Sequence, residues 1–322
     1  MKYFIYLSIL FSLTAVLYSC GSSQSSTDTP LATVTSTTVP TTTTTSTTTT
    51  TTSGWTEQDM TWAGTPKPVT STCTIITPEG TYRQYFTGTG GIWTDTSTNG
   101  LDWTAPVFTG VSSSGATNPS VICLKNGTFL MIYGVQVPLS STERLYRATS
   151  NDGINFTFQG GPYVGGAVLT GEADDFVSVP DLIYINDTTL RMYYVYGATT
   201  SRIYSATSTD NGATWTKEGE ISISGSYGGQ TNDPDVVLIS GTTYKLYFTT
   251  PPAGTSIGSL RLRRASSTDG RSFSLESGDI VDPSGSVTSI LDPDVVPVSG
   301  TAKYRCYYGT EPAGTLHSIL SP

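Results

Sequence analysis

The sequence is poor in the residues on which many binding and catalytic sites depend. Its 322 residues include a single histidine, His317, and charged residues make up only 13% of the chain. One histidine excludes a zinc site built on two histidines and argues against a Ser-His-Asp triad. With 16 Lys and Arg against 25 Asp and Glu, the net charge of -9 offers no basic surface for phosphates, so we expect no nucleic-acid partner. Acid–base chemistry must therefore depend on carboxyl groups or tyrosines.

The first 19 residues have the composition of an export signal. Lys2 supplies one positive charge, and the apolar run from Tyr3 to Tyr18 is too short for a stable membrane helix. The run ends in Leu-Tyr-Ser-Cys-Gly, which resembles the lipobox of bacterial lipoproteins. The resemblance implies that residues 1–19 are removed and that Cys20 carries a lipid. This lipid would anchor the protein to the outer membrane or cell surface. An ordinary signal peptide with a chance cysteine is the alternative.

Residues 20–53 have too few apolar side chains to form a core. Leucine, alanine and two valines are the only apolar residues between 21 and 53, and residues 41–52 are all threonine except for Ser46. Such a segment cannot bury enough apolar surface to offset its chain entropy. The composition predicts a disordered tether that holds a domain of residues 54–322 away from the membrane.

A tyrosine-rich segment recurs in residues 54–322, each time after a short apolar segment and a turn with Gly, Asn or Asp. The copies are Tyr82–Phe86, Phe129–Tyr133, Leu190–Tyr194, Tyr244–Phe248 and Tyr304–Tyr308. Aromatic and β-branched residues with turn signals at about every 8 to 12 positions predict an all-β domain, and no segment has a sustained helical period.

A second repeat follows the first and resembles the Asp-box, S-x-D-x-G-x-T-W, of sialidase-like and related propellers. The copies are Ser97–Trp103, Ser150–Phe156, Ser208–Trp215 and Ser267–Phe273, of which the third has the full pattern. We expect the Asp side chain to accept hydrogen bonds from backbone N–H groups of a hairpin turn, and the Gly to take a positive φ. This predicts a structural role for these aspartates rather than a catalytic one.

The fifth copy of the hairpin is divided between the two ends of the domain. Residues 316–321 align with residues 203–208, so the chain ends where the fifth hairpin should begin. Gly54-Trp55-Thr56 resembles Thr214-Trp215-Thr216 and supplies the missing half. We therefore predict a five-bladed β-propeller with four antiparallel strands per blade, closed by residues 55–62 as the outer strand of the last blade.

These motifs resemble the five-bladed propeller superfamily of arabinanases, β-xylosidases, levansucrases and invertases, over nearly all of residues 55–322. The resemblance implies hydrolysis or transfer of glycosyl groups by carboxylates that project into a central funnel, with an extracellular oligo- or polysaccharide as substrate. Ser71 and Val179 stand where the superfamily has aspartates, and its fourth-blade glutamate falls at or near Asp233. A non-catalytic propeller that binds glycan or protein is the alternative class.

Carboxyl groups are concentrated near the predicted axis in blades three to five. We expect Glu172 to be the general acid, because a loop glutamate screened from water has a raised pKa, and Asp233 or Asp292 to be base or nucleophile. Further candidates for ligand contact are Asp175, Asp181, Asp235, Asp294 and Trp93. Two other interpretations stay open: the Asp-Pro-Asp segments anchor strands through bonds to the backbone, or the cluster binds Ca²⁺ at the axis. No other cofactor is expected.

A sialidase is the other enzyme candidate, but it requires six blades and three converging arginines. Five strand repeats argue against it. One equivalent strand position carries a cation in four blades, which we interpret as a repeated surface position: Arg83, Arg191, Lys245 and Arg305.

The cysteines of the predicted domain allow two pairings. Cys73 could form a disulfide with Cys306 or with Cys123, since export permits it, or all three could be buried free thiols. We expect the domain to be a monomer.

Overall fold

Strand follows strand along the whole described chain, with no helix between them. The computed structural model describes residues 49–51, 54–63, 70–112, 115–137, 142–159, 168–169, 176–197, 199–256, 258–312 and 314–322. Within these residues no helix is long and apolar enough to cross a membrane. The predicted signal peptide, and the predicted tether up to residue 48, lie outside the described residues.

Three short strands precede the first complete sheet: β1 (Thr49–Thr51), β2 (Thr56–Gln58) and β3 (Thr61–Trp62). The first blade contains β4 (Thr70–Ile76), β5 (Tyr82–Gly88), β6 (Gly91–Ser97) and β8 (Val107–Phe108), with β7 (Asp102–Trp103) in the connection before β8. The second blade contains β9 (Ala116–Cys123), β10 (Phe129–Gln136), β11 (Glu143–Ser150) and β12 (Thr157–Phe158).

The third blade contains β13 (Val177–Tyr184), β14 (Leu190–Tyr196), β15 (Arg202–Ser208) and β16 (Thr216–Glu220), and β17 (Ser222–Ser224) follows it. The fourth blade contains β18 (Asn232–Ser240), β19 (Thr243–Thr250), β20 (Arg261–Ser267), β21 (Ser272–Leu275) and β22 (Val281–Pro283). The fifth contains β23 (Ser289–Pro297), β24 (Tyr304–Glu311) and β25 (Thr315–Leu320). The tyrosine-rich repeats form the second strand of each blade, and the prediction of an all-β, five-bladed propeller is confirmed.

The N-terminal part of the domain closes the ring, as predicted. Strand β2 pairs with β25, with Thr56 opposite Leu320, and so becomes the outer strand of the fifth blade. Trp55 is buried and its ring contacts that of Tyr247 edge-on, with 6.1 Å between centroids. The outer strand is shorter than the predicted range, because Thr61–Trp62 pairs instead with β7 of the first blade.

Residues 49–51 attach to the fourth blade. Strand β1 pairs antiparallel with β22, with Thr50 opposite Asp282. The last described threonines of the segment predicted to be a tether thus add a strand to the outer edge of this blade.

The hydrophobic core consists of clusters that lie between neighbouring blades. Each of the five blade-to-blade contacts in the described chain has its own cluster of buried aromatic and aliphatic side chains. The tyrosines of the second strands contribute to these clusters and also reach the next blade with their hydroxyls. Tyr85, Tyr193 and Tyr307 each donate to a glycine carbonyl in the neighbouring hairpin, at 2.6–2.8 Å. Consecutive blades are therefore joined by apolar packing and by hydrogen bonds to the hairpins.

The hairpin aspartates hold the turns together. Asp152 accepts hydrogen bonds from the N–H groups of Ile154 (2.8 Å) and Asn155 (2.7 Å), and Gly153 has a φ of 69°. Bonds from the Asn155 side chain and from these N–H groups hold the pKa of Asp152 well below its usual range. Asp269 accepts equivalent bonds in the fourth blade. These carboxylates lie in the turns and act on the local backbone.

The interpretation of the repeated cation position as a surface position is wrong for two of its members. Arg191 and Arg305 are only 7% and 3% exposed. Arg191 pairs with Glu218 of its own outer strand (2.9 Å) and donates to the carbonyl of Asp269 in the next blade (3.0 Å). A buried guanidinium needs such partners, so these arginines tie the outer strand of one blade to the hairpin of the next.

The three cysteines of the domain are free thiols, Cys73, Cys123 and Cys306. Neither predicted pairing is formed.

Candidate functional site

The first strand of every blade has a β-bulge near its start. The register with the second strand shifts there, and one residue in each blade takes a positive φ. We call these the mouth residues: Ser71 (φ 53°), Asn118 (49°), Val179 (47°), Asp233 (50°) and Asp292 (49°). In four of the five blades the next residue is proline, which lacks the N–H that a regular strand would use.

The mouth residues surround one end of a cavity on the propeller axis. Two residues further along each first strand lies a second layer, which we call the inner ring: Cys73, Ser120, Asp181, Asp235 and Asp294. The mouth residues and all inner-ring residues except Asp294 line the cavity, whose volume is about 30 Å³. A space of this size holds about two water molecules, so a sugar would contact the mouth residues rather than fill the cavity.

The inner ring connects each blade to the next by the same hydrogen bond. In every blade the inner-ring side chain accepts a hydrogen bond from a backbone N–H of the next blade. The donor is the residue that comes directly after the inner-ring residue of that next blade. The bonds are Cys73 Sγ with Val121 (3.2 Å), Ser120 Oγ with Leu182 (3.0 Å), Asp181 with Val236 (2.8 Å), Asp235 with Val295 (3.1 Å) and Asp294 with Thr74 (2.9 Å). The last bond closes the circle from the fifth blade to the first. The Asp-Pro-Asp segments therefore anchor the strands, which is one of the two open interpretations.

Burial makes the inner-ring carboxyls hard to ionise. It raises the pKa of Asp181 to about 7 and that of Asp294 to about 6. Burial raises the pKa of Asp235 well above its usual range, and the charges of Asp181 and Asp294 add to the effect. Oδ1 of Asp235 is buried and has no hydrogen-bond partner among the described residues. A contact between these three aspartates and a ligand stays a prediction.

Asp233 and Asp292 are the two carboxyls of the mouth, and they lie in neighbouring blades. Oδ2 of Asp292 accepts from the N–H and the hydroxyl of Ser71, both at 3.1 Å. Oδ2 of Asp233 accepts from the Thr249 hydroxyl (2.6 Å) and from the N–H of Asp292 (3.4 Å). Among the described residues no hydrogen bond reaches Oδ1 of either carboxyl. Two of the three residues predicted to be catalytic thus lie together, each with one oxygen to which no described residue donates a hydrogen bond.

The two mouth carboxyls influence each other's ionisation. Burial, and then the charge of Asp233, raise the pKa of Asp292 to about 7. Burial likewise raises the pKa of Asp233. Because two neighbouring negative charges disfavour each other, the pair retains a proton near neutral pH. Such a pair offers an acid and a base side by side.

Glu143 is a buried carboxyl near the mouth that the sequence analysis missed. It is 8% exposed, begins the third strand of the second blade, and accepts a hydrogen bond from the Ser178 hydroxyl. Burial raises the pKa of Glu143 to about 7. Gly134, within the apolar strand β10, was the available signal, because glycine inside a strand often marks a close approach. Here a Cβ on Gly134 would lie 1.9 Å from Oε1 of Glu143.

Of the four other predicted site residues, the structure describes only Trp93. Glu172, Asp175 and Cys20 lie outside the described residues. Trp93 lies on the third strand of the first blade, where its indole N–H donates to the carbonyl of Thr89 (3.0 Å) and its ring packs on Phe108, 5.3 Å away. The structure does not bring Trp93 to the axial cavity.

Metal binding at the axis stays a prediction. Within the described ranges, no group of three or more His, Cys, Asp and Glu side chains is arranged to hold a metal ion.

Solved structures share this fold, although the sequence itself matches no family model and no curated protein. A thermostable family-43 glycoside hydrolase superposes with a TM-score of 0.59 at 16% identity, over 80% of this chain and 89% of that one. An endo-arabinase from Bacteroides thetaiotaomicron gives 0.59 at 14% identity, over 78% and 93%. An N-acetylgalactosamine deacetylase from F. plautii gives 0.58 at 13% identity, over 75% and 80%. The resemblance predicted from the motifs is therefore confirmed for the fold: this chain has a five-bladed propeller similar to those of these structures.

Proposed function

We propose that this protein hydrolyses glycosidic bonds of an extracellular oligo- or polysaccharide at the mouth of its axial cavity. The observation that carries the proposal is the pair Asp233 and Asp292, two adjacent carboxyls with raised pKa values and one unbonded oxygen each among the described residues. Several similar solved structures are described as glycoside hydrolases, which supports a carbohydrate substrate.

The chemistry needs one protonated and one ionised carboxyl. Asp292, whose pKa is raised to about 7, would donate its proton to the oxygen of the leaving sugar. Asp233 would act as base toward water or as nucleophile toward the anomeric carbon. Glu172 is a second candidate for the acid, because its loop leads into β13, which begins next to the mouth at Val177.

The proposal is tested by turnover of arabinan, xylan, fructan and sialyl substrates, measured as released reducing sugar. Asp233→Asn and Asp292→Asn should each lower kcat by roughly 100-fold or more, as expected for removal of acid or base catalysis. Asp210→Asn is the matched control, since Asp210 lies in a hairpin turn and bonds Thr214 and Ser208 there. Activity that both mouth variants retain in full would contradict the assignment.

The stereochemical outcome is open to the same assay, followed by NMR of the anomeric proton. Carboxyl groups about 5–5.5 Å apart produce retention, and groups about 6.5–9.5 Å apart produce inversion. Retention would assign Asp233 as nucleophile, whereas inversion would assign the pair, or Glu172 with Asp233, as acid and base.

A non-catalytic glycan- or protein-binding propeller is the second candidate. The observation that favours it is the pair of mouth positions Ser71 and Val179, which carry no carboxyl. Calorimetric titration with the same carbohydrates distinguishes the enzyme from the binding protein. A binding protein takes up ligand without releasing product, and Asp292→Asn leaves its affinity unchanged.

We also propose that the protein is a monomeric lipoprotein held outside the cell by Cys20. The support is the short apolar segment that ends at Cys20 and the threonine-rich stretch after it. Cys20→Ala should move the protein from the membrane fraction to the soluble exported fraction. Wild-type protein found only in the soluble fraction would contradict the anchor.

A further inference from the structure

Glu143 lies across the axis from the acidic pair. It belongs to the second blade, which has the first and third blades as neighbours, whereas Asp233 and Asp292 belong to the fourth and fifth. A group held near Glu143 would therefore approach a ligand at the mouth of the cavity from the side opposite to the acidic pair.

A chain of hydrogen bonds runs from Glu143 to the mouth residue Asn118. The Ser178 hydroxyl donates to Oε1 of Glu143, and Ser178 Oγ accepts from Nδ2 of Asn118 at 2.9 Å. Nδ2 of Asn118 also lies 3.5 Å from Oε1 of Glu143. On the other side, the Thr117 hydroxyl donates to Oδ1 of Asn118 at 3.3 Å. The nitrogen and the oxygen of the Asn118 side-chain amide are thus held by different partners.

Gly134 makes room for the Glu143 carboxyl beside Asn118. Gly134 pairs with Thr117, the residue before the mouth residue, and the corresponding residues of the first, third, fourth and fifth blades are Thr87, Val195, Thr249 and Gly309. Both threonine hydroxyls bond a mouth residue, Thr87 with the N–H of Asn118 and Thr249 with Asp233. In the second blade Gly134 has no side chain, and the Glu143 carboxyl occupies the space that a side chain at this position would fill.

We propose that Glu143 and Ser178 are positioning residues that fix the side-chain amide of Asn118 at the mouth for contact with a sugar hydroxyl. An asparagine amide that turns by 180° exchanges its acceptor for its donor. A fixed amide offers one defined pattern to the ligand and loses less conformational freedom on binding. The contact with sugar rests on the proposed function, whereas the fixing of the amide does not.

The fixed amide is tested by NMR of protein labelled with ¹⁵N-asparagine, in which Asn118→Asp identifies the Asn118 signals. Ser178→Ala should shift both side-chain amide signals of Asn118, because Nδ2 loses the nearer of its two acceptors. Ser205→Ala is the matched control: Ser205 is also buried and donates to a glutamate, Glu218, at 2.9 Å, but both lie on the third and outer strands of the third blade and not at the cavity. Glu143→Ala should act like Ser178→Ala, and Glu143→Gln, which keeps an acceptor oxygen, should restore the signals. Unchanged Asn118 signals in Ser178→Ala would overturn the positioning role.

The contact with substrate is tested on whichever of arabinan, xylan or fructan the wild-type protein hydrolyses. Loss of one hydrogen bond made equally in the ground and transition states should raise KM about fivefold to tenfold in Ser178→Ala and leave kcat unchanged. Ser205→Ala should leave both constants unchanged. Absence of wild-type turnover would contradict the proposed function and leave the NMR result to decide the positioning role. An active enzyme with an unaltered KM in Ser178→Ala would overturn the substrate contact.

Discussion

At the scale of single residues, five inner-ring side chains perform one task with three different chemical groups. A thiol, a hydroxyl and three carboxyls each accept one backbone N–H from the next blade. The sequence predicted an acidic cluster at these strand starts but could not separate anchoring from ligand contact. The distinction depends on which N–H group faces each side chain, and only the packing of two blades determines that.

Removing one inner-ring acceptor should lower stability. Ser120→Ala leaves the N–H of Leu182 without its partner in a buried place. An unsatisfied buried group costs about 1–3 kcal/mol, and chemical denaturation should show a loss of this size. Ser286→Ala, at an exposed turn, is the control and should change nothing. Equal stability of the two variants would refute the role of the ring bond.

Val179 is the one β-branched mouth residue, and its backbone is strained. Its φ of 47° is unfavourable for valine, whereas Asn118 holds nearly the same φ at ease. Val179→Asn should therefore raise the free energy of unfolding by about 1 kcal/mol. The melting temperature measures it, and a decrease would show that contacts of the valine outweigh the strain.

Glu143 shows where residue-level prediction from sequence ends. Its partners Ser178 and Asn118 lie on two other strands, and the space for its side chain exists because Gly134 has none. Nothing in the local sequence around Glu143 encodes this combination. The repeats, by contrast, identified Asp233 and Asp292 correctly as neighbours at the axis, because equivalent positions of adjacent blades must meet there.

At the scale of strands, the ring is closed by an element far from its partners in sequence. Strand β2 completes the fifth blade, and the similarity of the segment around Trp55 to the repeated hairpins was enough to predict it. The pairing of Thr49–Thr51 with β22 could not be predicted, since a run of threonines has no pattern that selects a partner.

Loss of the closing strand should destabilise the whole domain. A chain that begins at Asp59 lacks both β2 and Trp55, which is 3% exposed and packs on Tyr247. Removal of a buried tryptophan alone costs about 4 kcal/mol. Thermal unfolding should therefore occur at a much lower temperature than for a chain that begins at Gly54. Equal melting temperatures would show that β2 does not close the ring.

At the scale of the whole molecule, buried carboxyls make stability depend on pH. The pKa values of Asp181, Asp292 and Glu143 are raised to about 7 and that of Asp294 to about 6. The folded protein holds these protons more tightly than the unfolded chain, so their stabilising effect is complete below about pH 4 and is lost as pH rises through 6 to 7. The hairpin aspartates have the opposite effect on stability, because their pKa values are lowered. Their stabilising contribution is present above about pH 4 and is lost as the pH falls below it.

The melting temperature should therefore be highest near pH 4 to 5 and fall by at least roughly 4 °C between pH 5 and pH 8. Asp294→Asn should make this fall smaller, because the amide accepts the bond from Thr74 without a proton to lose. A melting temperature that rises over this interval would contradict the assignment of protonated carboxyls at the axis.

The proposed activity depends most on Asp233 and Asp292 as an acid–base pair acting on carbohydrate. Its most direct test is reducing-sugar release from arabinan, xylan, fructan and sialyl substrates by the wild-type protein and the two Asp→Asn variants. We predict turnover of at least one substrate, lost by roughly 100-fold or more in Asp233→Asn and in Asp292→Asn and kept in Asp210→Asn. No turnover by the wild type, or full activity in both mouth variants, would contradict it.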